Sequence, residues 1–303
     1  MSFSYTVKEE IAQSINNKQK AKACLYGMLM FGKEFSLNQI TLQTENLIVA
    51  ELFKKLVGQA LEDDNAVETT ITNKKNNITL YSLKIENPSS LKSLHEYFEL
   101  DYTSEQLDIE TEKVGKQKYL SFFVAGAFLA CGSVNDPLKE YHLEFVIPTI
   151  KLASQLSEVL LSIGVSAKMT ERKNTHILYL KESENIEDML TFMGAPKSSL
   201  EIMNVKILKD VRNKINRAVN CDNANIEKTL KAAEKQVEDI NLISEKVGLS
   251  GLSDELREIA ELRLENPDWN LKELGENLDP PISRSGANHR LTKLSKIAEE
   301  FRK

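Results

Sequence analysis

Between Pro280 and Ala298 the chain has four basic residues, Arg284, Arg290, Lys293 and Lys296, and no acidic one, although its net charge is −6. Ser283, Ser285, Asn288 and His289 stand among them. Arginine and asparagine make paired hydrogen bonds to the edges of DNA bases. Lysine ammonium groups, serine hydroxyls and a helix N-terminus hold phosphates. These eight residues are therefore the candidate contacts to double-stranded DNA.

Other chemistry is thinly represented. Cys24, Cys131 and Cys221 are about a hundred residues apart and form no CxxC or CxxH group, so neither disulfides nor a structural zinc site is expected. His95, His142, His176 and His289 are dispersed, and those on half-buried strands read as packed side chains. No metal, cofactor or catalytic residue is assigned. Cys131 lies in an apolar run with no adjacent base to lower its pKa, which fits packing better than nucleophilic attack.

Three short helices must position the basic residues. "SDELREIAELRLEN" starts at Ser253 and stops before Pro267, and "NLKELGENL" stops at Asp279-Pro280-Pro281. "SRSGANHRLTKLSKIAEEF" starts at Ser283, a good N-cap. In the last of these, Ala287, Leu291, Leu294, Ile297, Ala298 and Phe301 recur at helical spacing and should be buried. Leu256, Ile259, Ala260 and Leu264, with Leu271, Leu274 and Leu278, complete the core. A short helix, a tight connection and a longer helix make a helix-turn-helix over 253–303. The plainer alternative is a three-helix cap with a solvated face. Turn, amphipathicity and local charge agree on DNA binding.

Upstream, 197–252 reads as a helical linker with one interruption at "VNCDNAN". Its first part gathers Lys206, Lys209, Arg212, Lys214 and Arg217, leaving connection and DNA contact both open; its second part reads as a solvated connection ending at Gly248.

The first 196 residues contain a repeat. "KKNNITLY" from Lys74 and "RKNTHILY" from Arg172 are offset by 98 residues; Gly27 in "LYGMLMFG" and Gly126 in "VAGAFLACG" by 99. Each copy, 1–105 and 106–196, reads α-β-α-β-β-α. That order predicts two lobes with the small-residue helices at their junction.

"VAGAFLACGS" resembles the LAGLIDADG motif of homing endonucleases. The resemblance implies two motif helices that each end in a metal-binding acid, because a hard cation needs oxygen ligands. Here the acid positions fall on Cys131 and Gly32, while Glu34 and Asp136 lie past the helix ends. Nuclease activity is not expected, and the chain is read as a non-enzyme.

"MSFSYTVKEEIA", "VAGAFLACGSVNDP", "NRAVNCDNANIEKTLKAA" and "LKELGENLDPPISRSGANHRLTKL" together resemble the WhiA family, in which a degenerate LAGLIDADG-like domain is joined to a C-terminal helix-turn-helix. The expected fold is α+β: a duplicated, two-lobed N-terminal domain (1–196), a helical linker and an all-α C-terminal domain. The resemblance implies a bacterial transcription regulator tied to cell division, chromosome segregation and sporulation. For the N-terminal domain two roles stand open. Hairpin-tip cations Lys74, Lys75, Arg172 and Lys173 would suit a second DNA clamp. Acids Glu62, Asp63, Asp64, Glu105, Asp108, Glu110 and Glu112 favour a site for a protein partner. The start lacks the layout of a signal peptide and no apolar run reaches the ~20 residues a membrane span needs, so a cytoplasmic, nucleoid-associated protein is expected.

Overall fold

The computed structural model of the chain describes residues 2–74, 78–100, 108–114 and 116–302. They form two compact units, Met1–Lys209 and Asp210–Lys303. No helix among the described residues is long and apolar enough to cross a membrane. Lys75 and Glu105 lie outside the described residues.

The first unit opens with α1 (Phe3–Ser14) and then contains the repeat. Copy one is α2 (Lys18–Met30), β1 (Glu34–Phe35), β2 (Ile40–Thr44), α3 (Leu47–Leu61), β3 (Glu68–Lys74), β4 (Ile78–Ile85) and α4 (Pro88–Tyr97). Copy two is α5 (Leu120–Cys131), β5 (Gly132–Val134), β6 (Leu143–Ile147), α6 (Ile150–Ser162), β7 (Lys168–Arg172), β8 (Thr175–Leu180) and α7 (Ser183–Phe192). Both sheets are antiparallel, with orders β1-β2-β4-β3 and β5-β6-β8-β7. The sequence pattern predicts one strand before each amphipathic helix, and the structure has two. β1 and β5, two and three residues long, are too short to show an alternating pattern.

Local chemistry explains the helix starts. Asn17, Asn46 and Asn87 accept hydrogen bonds from the first-turn amides of α2, α3 and α4, and Thr149 does so for α6. Lys173 and Asn174 both take positive φ between paired Arg172 and Thr175, the two-residue turn that matches strand twist. The core is centred on α2 and α5, whose backbones nearly touch. A Cβ on Gly27 would lie 2.1 Å from the Phe123 carbonyl oxygen, and one on Gly126 would lie 2.0 Å from that of Cys24. Each glycine makes room for the other helix's backbone.

The helical segment that follows departs from expectation. α8 (Pro196–Val247) runs 52 residues without the break predicted at "VNCDNAN". After Pro196 it contains no proline or glycine. Asn, Asp and Cys each cost only a few tenths of a kcal/mol in a helix. The apolar spacing of Ile215, Val219, Ile226 and Leu230 also continues across the segment. At its start Glu10 of α1 accepts from the Lys197 and Ser198 amides at 2.7 and 2.9 Å, so a carboxylate caps the positive end of the helix.

The second unit adds α9 (Asp254–Glu265), α10 (Leu271–Glu276) and α11 (Arg284–Arg302). Its core holds Ile259, Ala260, Leu274, Leu278, Ala287, Leu291, Leu294 and Ala298, as the spacing predicted, together with Ile240 and Ile243 from α8. The end of α8 is thus a fourth wall of the helical unit. Phe301, predicted buried, is 38% exposed.

Candidate nucleic-acid interface

The connection from α9 to α11 is built by polar contacts that leave little freedom. Arg263 is 2% exposed, and its Nη1 donates to the carbonyls of Pro267 at 3.2 Å and Trp269 at 2.6 Å. A buried guanidinium at the negative end of α9 thereby holds the loop that leads into α10. Burial lowers its pKa below the ordinary arginine value. Asn270 and Glu273 close a reciprocal capping box on α10. Glu258 Oε1 accepts from the Asp279 amide at 2.7 Å, and the Ile282 amide donates to the Gly275 carbonyl at 2.8 Å. A Cβ on Gly275 would lie 2.5 Å from the Ile282 oxygen, so the turn closes against a bare Cα.

α11 is then set by its apolar stripe. Ser283 caps it, accepting from the Gly286 amide at 3.2 Å. Ser283, Arg284, Ser285, Asn288, His289, Lys293 and Lys296 are all exposed. Arg290 is placed differently. Its side chain is 16% exposed and sits 3.8 Å from Glu255 and 3.9 Å from Glu258, both on α9. On a helix of about 3.6 residues per turn, position 290 borders the buried stripe rather than opposing it. Arg290 therefore joins α11 to α9. Arg302 Nη1 adds a charge contact to buried Asp239 of α8 at 2.6 Å, without hydrogen-bond alignment.

In the first unit, the motif-helix ends carry the residues that the sequence reading singled out. α5 ends at Cys131, half-buried, with its thiol pushed up to about 12 by desolvation. Gly32 follows α2. Glu34 accepts from Ser36 and Gln39, and Asp136 organises a turn through the Leu138 amide. Among the described residues no three His, Cys, Asp or Glu side chains gather as metal ligands. A cation occupies the neighbourhood instead: Lys8 of α1 donates to the Leu129 carbonyl at 3.2 Å and lies 5.7 Å from the Phe128 ring centre. Of the hairpin-tip cations, Lys74 is paired with Glu45 at 3.2 Å, and Arg172 and Lys173 are exposed at the β7–β8 turn.

A family model for the WhiA LAGLIDADG-like domain matches residues 120–212, and one for the WhiA C-terminal HTH domain matches 215–298. Proteins named "Probable cell division protein WhiA" are similar over the whole chain. That of Clostridium botulinum strain Hall is 40% identical, and that of Clostridium tetani 39%; each alignment covers 100% of this chain and 99% of the relative. The chain belongs to the WhiA family. Among solved structures, full-length DUF199/WhiA from Thermatoga maritima is similar in fold, with a TM-score of 0.58 at 23% identity over 99% of both chains. The N-terminal LAGLIDADG domain of DUF199/WhiA has a TM-score of 0.50 at 18% identity, covering 64% of this chain and 90% of that one. The α+β organisation, with a WhiA LAGLIDADG-like part and a WhiA helix-turn-helix part, follows from these matches.

Two features of this WhiA-family chain escaped the sequence reading. Arg263 occupies a position that the stripe of Ile259 and Ala260 assigns to the core, so a charge on an apolar face was the available signal. Lys8 left none, because its partners are about 120 residues away. Lys8 gives a pH prediction. Burial lowers its pKa from 10.5 to about 8, so above pH 8 the folded chain releases a proton that the unfolded chain keeps. The unfolded state then binds more protons, and stability rises with pH by up to about 1.4 kcal/mol per unit. The buried thiols of Cys24 and Cys131, pushed up, oppose this as pH nears their ordinary value of 9.0. Denaturant unfolding between about pH 7.5 and 8.5 should therefore show stability rising in the native chain. Lys8→Met should remove the rise; a rise that survives in the variant would assign it to another group.

Proposed function

We propose that this WhiA-family chain is a sequence-specific regulator of transcription. In this reading α11 enters the major groove of double-stranded DNA, and the LAGLIDADG-like unit cuts nothing. The exposed face of α11 carries the proposal: seven polar or basic side chains lie on the helix and its N-cap, and no acid stands between Pro280 and Ala298 to repel phosphate. Arg284 and Asn288, near the N-terminus, are the base-reading pair. Lys293 and Lys296, farther along, neutralise backbone phosphates. Arg290 acts as a positioning residue, fixing α11 on α9.

A non-nuclease reading of the first unit is supported by Cys131 and Gly32 at the motif-helix ends and by the Lys8 ammonium beside Leu129, an environment hostile to a divalent cation. Exposed Glu62, Asp63, Asp64 and Glu112 favour a protein-binding role for that unit over a second DNA clamp. Relatives named for cell division support a role in division; chromosome segregation and sporulation control extend that role. Cytoplasmic residence on the nucleoid completes the reading.

Salt dependence tests it. Each phosphate contact releases counterions and contributes about 0.9 to the slope of log K against log salt. Lys293→Ala with Lys296→Ala in the full chain should weaken binding to all duplexes alike and flatten that slope by roughly 1–2. An unchanged slope would remove these lysines from the interface. Incubation of the purified chain with supercoiled plasmid and Mg²⁺ should leave the plasmid intact.

A further inference from the structure

The second unit contains a pocket of about 480 Å³ walled by α8, the end of α9, the start of α10 and the first turns of α11. Four cations line it, Lys228, Arg263, Lys272 and Arg284, and no carboxylate does. In a chain of net charge −6 that concentration is a strong local bias. Lys272 lies 3.6 Å from Glu276, whereas Lys228 and Arg284 have no ion pair among the described residues. Two polar atoms of lining residues are buried without a partner, Arg263 Nε and Gln236 Oε1. A buried donor left without an acceptor is destabilising. Arg263 is the more telling, since its Nη1 is already committed to the loop carbonyls.

We propose that this pocket binds a phosphate group, with Lys228 and Arg263 as its cations. A tetrahedral phosphate offers acceptors in several directions, so one anion can serve more than one of these cations. The Gln236 amide turns to present its N–H₂ inward once an acceptor is there. Arg284 and Asn288 line the pocket and also stand on the proposed DNA face. The inference thus rests in part on the DNA-binding reading: a backbone phosphate at the edge of the groove would reach the pocket, and α8 would become part of the clamp. The same chemistry would accept a free phosphate ester.

The experiment uses the full chain with variants Lys228→Ala and Gln236→Glu, the second nearly isosteric and placing a negative charge in the pocket. Affinity is measured for a selected duplex and for copies with one neutral methylphosphonate linkage at successive positions. Binding of pyrophosphate to the protein alone is measured by calorimetry. A backbone phosphate in the pocket predicts one linkage whose replacement weakens native binding about 3- to 10-fold but has no effect in Lys228→Ala. A free phosphate predicts saturable pyrophosphate binding, lost in both variants. The proposal is overturned if no linkage depends on Lys228 and pyrophosphate binding is absent or unchanged by the variants, with folding verified by circular dichroism. Sequence preference that depends on Arg284 and Asn288 would then still stand. Pyrophosphate bound through Lys228 by a chain with no duplex preference would instead remove the DNA reading and leave the pocket.

Discussion

Replacing Arg284 and Asn288 together by alanine is expected to erase the preference of this chain for its DNA site while leaving weak, salt-sensitive binding to any duplex. A well-made paired contact between side chain and base discriminates by about 1–3 kcal/mol. Two such contacts account for about 2–6 kcal/mol, at least a 30-fold loss in the ratio of specific to non-specific affinity. The fold should survive, since both side chains are exposed and alanine is the best helix former. The core contacts of Ala287, Leu291, Leu294 and Ala298 are untouched. Binding isotherms for the selected duplex and a scrambled one, at two salt concentrations, separate the outcomes. A preserved ratio would place sequence reading elsewhere than the first two turns of α11. Loss of both affinities in proportion would make the pair phosphate contacts rather than readers of bases.

How much of this interface was legible from sequence depends on the range of each interaction. The faces of α11 follow from spacing alone, because burial at 287, 291, 294 and 298 fixes which residues are left outside. Arg290 shows where that logic stops. The same spacing leaves it on the flank, and its side chain lies beside Glu255 and Glu258 on a neighbouring helix. Composition there marks a basic residue, and only packing says that its charge is turned toward carboxylates. The repeat was legible because two copies of one pattern reinforce each other; β1 and β5 were not, being shorter than a pattern. The expected break in α8 was a misreading of propensity, since polar residues without proline or glycine do not stop a helix whose apolar spacing continues. Least legible were the contacts made by α1. Lys8 reaches Leu129 and Glu10 reaches the start of α8 across most of the domestic sequence of the first unit, with no periodicity to announce either. The candidate residues on α11 are thus local features, whereas the surroundings of the motif-helix ends are set by long-range closure of the chain.

Gly126→Val should strongly destabilise the first unit. The ideal Cβ at 126 lies 2.0 Å from the Cys24 oxygen, 2.9 Å from its carbonyl carbon and 3.0 Å from the Met28 nitrogen. All three are backbone atoms of α2, so no rotamer change relieves the overlap. The helices must separate, and separation opens the core that Tyr26, Phe123 and Phe31 fill with ring contacts at 5.4 and 6.1 Å. Overpacking of this kind costs about 1–3 kcal/mol, and the absence of a flexible neighbour places it at the upper end. β-Branching adds a smaller helix penalty. At about 3 kcal/mol, a large part of a domain's net stability of about 5–15 kcal/mol is lost. The second unit has its own buried cluster, so calorimetry of the full variant should show one transition moved several degrees down and another in place. Gly126→Ala is the informative control, because the first added carbon already meets the Cys24 carbonyl. It should recover little of the loss. If alanine is tolerated at native stability, the two motif helices have room between them, and the close backbone approach does not hold the lobes together.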